Sequence, residues 1–318
     1  MPRQKQDTAS RRKARDNDLA LIGVTLDVEM SMQYPRRGML EWNYEKGNLN
    51  AETKQYTREA CRRVRAAGGV LHAFVLGRTF EQKSIKWLKE IVAEGHAVSN
   101  HTYDHIMVTA RTNRELQHRF RRAPWLVHGK PTCEVIAENI RLTAMAMKRR
   151  LGVESAGFRT PYGFPNGLAD RPDVQELLQG LGIEWLTSQA VDHVMDVARE
   201  KPGPGDYAKI VRAQKQNQPF IYPSGLVEIP ASPLGDVFSF RERKWKLEEW
   251  LKMIEKNVRW AIQHRAVYDF FSHPSILYVE DPEFRAIGLI CDLVRAARGK
   301  AAIVNLDTIA QRARLRNS

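Results

Sequence analysis

Residues 20–29 read ALIGVTLDVE, a short apolar run that ends in two acids. Runs of this length that are rich in β-branched residues are typical of buried strands in a parallel sheet. Active sites of β/α barrels form at the carboxyl ends of the strands, which is where these acids stand. We therefore expect a strand over residues 20–27 and a functional role for Asp27 and Glu29.

Seven further segments have the same character as the first and predict strands. Between most of them lie segments with helical spacing of apolar residues. Strand–helix alternation of this kind predicts an α/β fold with a parallel sheet, and seven or eight units suit a (β/α) barrel. An open doubly wound sheet is the alternative. The further strands are predicted at 70–77, 96–101, 156–161, 183–188, 226–232, 267–273 and 301–306, and the helices at 52–67, 81–94, 134–151, 172–181, 244–264 and 282–298.

The organisation of the 318 residues favours one domain. Residues 1–18 are polar, charged and without periodicity, and are predicted to be a disordered basic tail. From 19 to 318 no Ser/Gly linker, low-complexity tract or internal repeat divides the sequence. The three cysteines stand far apart, at positions 61, 133 and 291, and indicate neither a disulfide framework nor a cysteine metal site.

The net charge of +13 favours anionic partners through its long-range field. The basic clusters are short and not interleaved with aromatic residues, so we expect no nucleic-acid partner. No stretch approaches the ~20 apolar residues of a membrane span. The N-terminal residues also lack the apolar core of a signal peptide, and we expect a cytoplasmic protein. The sequence does not indicate an oligomeric state.

Residues 99–105 read SNHTYDH and place His101 and His105 four positions apart after the third predicted strand. Two neutral imidazoles and one carboxylate, with a fourth position open, form a standard catalytic zinc site. On one helical turn the two rings would share a face. Asp27 and Glu29 would face the same way, because residues i and i+2 of a strand do so. One acid would bind the metal and the other would act as a base.

Two more predicted strands also end in ionisable residues. The segment FRTPYG supplies Arg159 and Tyr162, and FFSHP supplies His273. Each feature alone has an ordinary explanation, such as a solvated histidine pair or an acid that caps the next helix. Four strands that all end in such residues indicate one catalytic site.

These motifs, in this order, resemble those of the polysaccharide deacetylase family, the NodB-homology proteins of carbohydrate esterase family 4. HTYDH resembles the family's H-[ST]-x-x-H, and RTPYG resembles R-x-P-[YW]. TLDVE resembles T-F-D-D-G, and FSH resembles L-x-H. The resemblance spans about residues 20–310 and implies a distorted (β/α)7–8 barrel of the NodB-homology type.

The resemblance implies hydrolysis of the N-acetyl amide of an amino sugar or polysaccharide by a metal-activated water molecule. The implied cofactor is a divalent metal, most commonly Zn²⁺. Asp27 would be the general base, and His273 would be the general acid that protonates the amine. The implied metal ligands are Glu29, His101 and His105.

The third motif implies two further roles. Arg159 would pair with Asp27 and keep it ionised and aligned. The backbone N–H of Tyr162, directly after Pro161, would face the oxyanion of the tetrahedral intermediate.

The sequence departs from the family pattern at two motifs. In the usual first motif the two acids are adjacent, whereas Val28 separates Asp27 from Glu29, so either acid could be the metal ligand. The fourth motif, usually D-x-x-D-W, has no clean counterpart. The candidates for the acid that orients the general acid are Asp192 and Asp236.

The long loop after the first strand carries Trp42, whose ring could stack on a sugar or could pack beneath the loop. The expected substrate is an N-acetylated glycan or a small amino sugar, and an anionic one would suit the net charge. Two alternatives stay open at this point: an allantoinase-like hydrolase of cyclic amides or imides on the same fold, and a non-catalytic glycan-binding protein with a degenerate site.

Overall fold

The computed structural model describes residues 19–31, 34 and 46–317. Trp42 and the predicted tail over residues 1–18 lie outside these described residues. Among the helices described, none combines the length and the apolarity that crossing a bilayer requires.

A sheet of nine strands forms the centre of the described part of the chain. Its order is β6-β7-β5-β4-β3-β2-β1-β8, with β9 beside the start of β1, and every pair is parallel except β6–β7. The strands are β1 (Ala20–Val28), β2 (His72–Val75), β3 (Ala97–Asn100), β4 (Gly157–Phe164), β5 (Trp185–Gln189), β6 (Phe220–Ile221), β7 (Val227–Glu228), β8 (Val267–Ser272) and β9 (Ala301–Ile303).

Helices surround the sheet, and short 3-10 and π-helical turns join several of them to it. The π-helical turns are Met147–Leu151 and Val237–Glu242. The α-helices are α1 (Ala51–Ala66), α2 (Lys86–Ala93), α3 (His118–Arg122), α4 (Thr132–Ala146), α5 (Pro172–Gly180), α6 (Pro204–Gln216), α7 (Leu247–His264), α8 (Pro274–Glu280), α9 (Arg285–Ala296) and α10 (Leu306–Asn317).

The prediction of an α/β fold of distorted-barrel type is confirmed, because the sheet curls into a half-barrel with helices around it. The strand predicted over 226–232 is shorter than expected. After Glu228 the chain instead bridges two strands: Ile229 N–H donates to Leu186 O on β5, and Ser232 N–H donates to Asp269 O on β8. Between β5 and β8, individual backbone hydrogen bonds from this segment thus replace the continuous strand pairing found elsewhere in the sheet.

The sequence missed the elements that carry weak periodicity. These are the two-residue strand β6 and the helices α3, α6, α8 and α10. The strand predicted over 301–306 ends at Ile303, because Leu306 begins α10 and its N–H donates to Nδ1 of the buried His72. That bond leaves Nε2 of His72 to donate to Ser99 Oγ, which makes this histidine a structural link between the core and α10.

Parallel pairing brings the carboxyl ends of the central strands to one edge of the sheet. β1 is buried along its whole length, with β8 on one side and β2 and β9 on the other. β3, β4 and β8 end at this same edge. The residues that follow these strands therefore converge on one place.

The close contact between β4 and β5 supplies a stability test. Gly157 begins β4, and a Cβ at this position would overlap the ring of Trp185 on β5. We expect Gly157→Ala to lower the free energy of unfolding by about 1–3 kcal/mol, because a filled core has no room for the methyl group. Urea unfolding followed by circular dichroism measures the change.

Gly180, at the end of α5, is the matched control. A Cβ there would meet nothing within 4 Å. Gly180→Ala should raise the free energy of unfolding by about 0.4–1 kcal/mol, since alanine restricts the unfolded chain. Equal effects of the two substitutions would contradict the packing argument.

Candidate metal centre and active site

The two histidines of the HTYDH segment approach each other through a loop. The predicted helical turn is wrong, because Thr102 and His105 have positive φ values of 64° and 57°. The loop is held by its own side chains: Thr102 N–H donates to Asn100 Oδ1 at 2.8 Å, and Ile106 N–H donates to Thr102 Oγ1 at 3.2 Å. The ring centroids of His101 and His105 lie 5.3 Å apart.

The two acids of the TLDVE segment face the same side of the sheet. β1 ends at Val28, and Glu29 N–H donates to Asp27 O at 2.9 Å, an i→i+2 bond typical of a tight turn. Val28 between them is fully buried in the core. The additional residue of this motif therefore packs inward and leaves both carboxylates at the site.

Glu29, His101 and His105 form a buried cluster with the spacing of a metal site. One ligand atom from each residue lies within 4.8 Å of the other two. His105 Nε2 lies 3.0 Å from Glu29 Oε2, and His101 Nε2 lies 3.8 Å from the same oxygen. Ligands around a tetrahedral zinc ion, bound at about 2.0–2.2 Å, are separated by about 3.4 Å.

The hydrogen bonds of the cluster also fit a divalent cation. Glu29 Oε2 and His101 Nε2 are buried and have no hydrogen-bond partner among the described residues. Buried polar atoms in proteins are normally satisfied, so these two indicate a ligand between them. His101 Nδ1–H donates to Arg159 O at 2.9 Å, which leaves the lone pair on Nε2.

Burial keeps both imidazoles neutral, as metal ligation requires. Desolvation lowers the pKa of His101 and lowers the pKa of His105 to about 4. Burial acts to raise the pKa of Glu29, but His105 and the ammonium group of Lys46 outweigh it and hold this pKa well below its usual value. Lys46 Nζ lies 2.6 Å from Glu29 Oε1. No sequence motif had indicated Lys46.

Asp27 is held by a buried arginine. Arg159 Nη1 donates to Asp27 Oδ1 at 2.9 Å and to Thr25 Oγ1 at 3.0 Å. Its Nη2 donates to Asp269 Oδ2 at 2.7 Å. The guanidinium group lies 4.1 Å from the centroid of the Phe74 ring. This leaves Asp27 Oδ2 facing the cluster, 3.5 Å from His101 Nε2.

Asp269 was missed by the sequence reasoning, although a signal was present. It lies on β8 four residues before His273, and strand residues separated by two or four positions share a face. It is almost completely buried, and burial raises the pKa of its carboxyl group above the usual value. The alternation of side chains along β8 could therefore have identified Asp269, because it places this acid on the same face as His273.

His273 makes its contacts with Asp236. Its Nδ1–H donates to Asp236 Oδ1 at 2.9 Å, and its backbone N–H donates to Asp236 Oδ2 at 2.6 Å. Burial acts to lower the pKa of His273, but the carboxylate of Asp236 outweighs it and raises this pKa. His273 Nε2 lies 3.9 Å from Glu29 Oε1, so this nitrogen of the ring faces the cluster.

Asp192, the other candidate acid, acts on the backbone instead. Its carboxylate accepts from the N–H groups of Leu234 and Gly235 at 2.8 and 2.9 Å. These residues directly precede Asp236, so Asp192 holds the turn that delivers Asp236 to His273.

The RTPYG segment forms one wall of the site. Pro161 is buried, and Tyr162 has a positive φ of 65° with its ring half-exposed. The Tyr162 ring centroid lies 5.1 Å from that of His105. Asp27, Glu29, His105, Arg159, Tyr162 and His273 line one cleft of about 630 Å³.

One family model matches part of this chain. Residues 36–179 match the family model described as polysaccharide deacetylase, a range that contains the HTYDH and RTPYG motifs. The match confirms the resemblance to this family. The comparison with curated proteins gave no match.

Two solved structures share the fold. A protein from Mycobacterium smegmatis assigned as a polysaccharide deacetylase is 16% identical with a TM-score of 0.62, over 95% of this chain and 92% of that one. The 4-alpha-glucanotransferase of Thermococcus litoralis is 10% identical with a TM-score of 0.54, over 92% of this chain and 40% of that one. At such identities the likeness shows the fold alone.

Metal analysis tests the cluster directly. We expect the protein, stripped with a chelator and then titrated with Zn²⁺, to bind one ion per chain, because three buried ligand atoms converge on one point. His101→Ala, His105→Ala and Glu29→Gln should each weaken this binding by a factor of ten or more. Isothermal titration calorimetry and elemental analysis provide the measurements.

The controls are two histidines outside the ligand set. His264 is exposed near the end of α7, and His264→Ala should bind zinc like the unaltered chain. His273→Ala should also retain the ion. Undiminished zinc binding in both His101→Ala and His105→Ala would remove the cluster as the metal centre.

Proposed function

We propose that this chain, a relative of the polysaccharide deacetylases, hydrolyses the N-acetyl amide of an amino sugar or glycan with the help of a divalent metal. The donor set of one carboxylate and two imidazoles favours Zn²⁺. One observation carries the proposal: His273, paired with Asp236, faces the same cluster as Asp27, paired with Arg159. An acid and a base thus stand beside one candidate metal centre.

Three features of the reaction make the uncatalysed hydrolysis of an amide slow. The acetamide carbon is a poor electrophile, water is a poor nucleophile, and an amide anion is a poor leaving group. A divalent ion held by Glu29, His101 and His105 would polarise the carbonyl and lower the pKa of water towards about 7. The proton transfers and the stabilisation of the oxyanion have to come from groups of the protein itself.

Asp27 is the proposed general base. Arg159 donates to its Oδ1 at 2.9 Å and holds the carboxyl group in one orientation. Its Oδ2 faces the cluster and accepts the proton of the attacking water molecule. Glu29 is the proposed metal ligand of the two acids, because its Oε2 is near both histidines and lacks a hydrogen-bond donor.

His273 is the proposed general acid. Asp236 accepts from Nδ1–H, so the second proton of the imidazolium sits on Nε2, which faces the site. That proton passes to the nitrogen of the departing amine as the C–N bond breaks. Asp27 then releases its proton to solvent and the neutral imidazole regains one, which restores both groups.

Tyr162 is the proposed donor to the oxyanion. Its positive φ turns the backbone N–H away from the direction of a regular strand. Thr160 Oγ1 donates to Tyr162 O at 2.8 Å and fixes this conformation. A rigid backbone N–H stabilises developing negative charge without reorganisation.

Acetate release from N-acetylated glycans tests the function. We expect the zinc-loaded protein to release acetate from chitin or peptidoglycan fragments. Chelation should abolish the activity, and zinc should restore it. Release of no acetate, with the glycan bound but unchanged, would favour a binding protein; opening of a cyclic imide without acetate release would favour the allantoinase-like alternative.

The acid–base assignment has its own test. His273→Ala should lower kcat by about 10²–10⁴-fold while zinc stays bound, because the amine then leaves without a proton. Asp236→Asn should also lower kcat, but by a smaller factor, because His273 stays in place and loses only the charge of its partner. His264→Ala is the matched control on an exposed histidine. Full activity of His273→Ala would remove this residue from the mechanism.

Asp269 is the proposed positioning residue for Arg159. We expect Asp269→Asn to lower kcat about tenfold or more with little change in KM, since Arg159 loses one of its two anchors and holds Asp27 less firmly. The matched control is Asp307→Asn. Asp307 accepts from Trp185 Nε1 away from the cleft, so its loss should lower stability without changing kcat. A fall in kcat of equal size in both variants would refute the positioning role.

A further inference from the structure

The cations that line the cleft differ in whether they have counter-charges. Lys46 pairs with Glu29, and Arg159 pairs with Asp27 and Asp269. The other two, Arg121 and Arg241, form no ion pair with any described residue. These two guanidinium groups therefore line the cleft without a carboxylate at ion-pair distance in the described part of the chain.

Arg241 is the more constrained of these two cations. It lies in the π-helical turn Val237–Glu242 and is largely buried. Its Nη2 donates to Ser31 Oγ at 2.9 Å, and its guanidinium group lies 5.3 Å from the Tyr34 ring centroid. Its Nε is buried and has no hydrogen-bond partner among the described residues. Burying a charged guanidinium group with an unsatisfied N–H costs folding free energy unless an anion pairs with it.

Neither of the two acids of the cleft wall nearest to Arg241 in the sequence, Asp192 and Glu242, forms an ion pair with it in the described structure. Asp192 lines the cleft, but its two oxygens accept from backbone N–H groups. Glu242 is exposed, and no ion pair joins it to Arg241 in the described structure. Among the described residues no carboxylate forms an ion pair with Arg241, which leaves a substrate group as a candidate counter-charge.

We propose that the cleft takes an N-acetylated sugar that bears an anionic group, a carboxylate or a phosphate, and that Arg241 binds this group. A guanidinium presents its Nε–H and Nη–H donors as a planar fork that matches two oxygens of either anion. The proposal rests on the proposed function for the N-acetyl part of the substrate, whereas the anion site stands on the contacts of Arg241.

The location of Arg241 ties the anion to the reacting end of the substrate. Ser31, which Arg241 contacts, is two residues from Glu29. Burial lowers the pKa of Arg241, and among the groups that act in the opposite direction are the carboxylates of Asp236 and Glu29. The guanidinium thus lies in the electrostatic range of both the candidate metal cluster and the Asp236–His273 pair. We place the anionic group on the sugar that loses its acetyl group or on the adjacent sugar.

Three probes on one scaffold test the proposal: an N-acetylglucosamine oligomer, the same oligomer with 3-O-lactyl carboxylates, and the same oligomer with 6-phosphates. We expect kcat/KM for at least one anionic probe to exceed that for the neutral probe tenfold or more. Arg241→Gln should lower this ratio at least tenfold, and Arg241→Lys should recover part of it. The anion that is preferred, carboxylate or phosphate, identifies the source.

The matched control is Arg212→Gln, which removes an exposed arginine of α6 outside the cleft and should leave the ratio unchanged. Circular dichroism checks that each variant is folded. Equal kcat/KM for all three probes in the unaltered chain would overturn the proposal. So would an unchanged ratio in Arg241→Gln.

Calorimetric binding of the same probes separates this proposal from the deacetylase function. If an anionic probe binds tenfold or more tightly than the neutral one and loses this advantage in Arg241→Gln, the anion site stands even where no acetate is released. If acetate is released with no preference for the anionic probes, the deacetylase function stands and the anion site falls.

Discussion

The buried ion network of Arg159 is the constraint on which the site depends. Its guanidinium group joins β4, which carries it, to β1 through Asp27 and to β8 through Asp269. All three side chains are almost fully buried, so removal of Arg159 would leave two carboxylates in the core without their counter-charge. The network therefore holds together the strand ends that carry the candidate base and the candidate acid.

Strand register turns this constraint into a site. In the parallel sheet Asp27 pairs with Phe74 of β2, and Ser272, directly before His273, pairs with Leu26 of β1. A shift by one residue would turn each of these side chains to the opposite face. The alternation of side chains also explains the spacing of the two acids: Val28, which lies between them, packs into the core, and both carboxylates lie at the site. The proposed roles of Asp27 and Glu29 both depend on this geometry.

The strands and the clustering of site residues were predictable because short apolar runs and their polar ends are local features of the sequence. The choice between Asp192 and Asp236 was not, since it depends on a turn over 234–236 that no periodicity reports. The helical turn for the two histidines failed for a similar reason: side-chain bonds from Asn100 and Thr102 stabilise a loop with positive φ. Lys46 approaches the cluster only through tertiary structure.

The charges of the buried centre link the proposed metal to the proposed substrate anion. The carboxylates of Asp27, Glu29 and Asp269 outnumber by one the cations of Arg159 and Lys46 that pair with them. A divalent cation would reverse the sign of this local balance, and Arg241 adds further positive charge beside it. In a cleft of low dielectric such a field attracts anionic substrates and also stabilises the negative charge that develops on the carbonyl oxygen during hydrolysis.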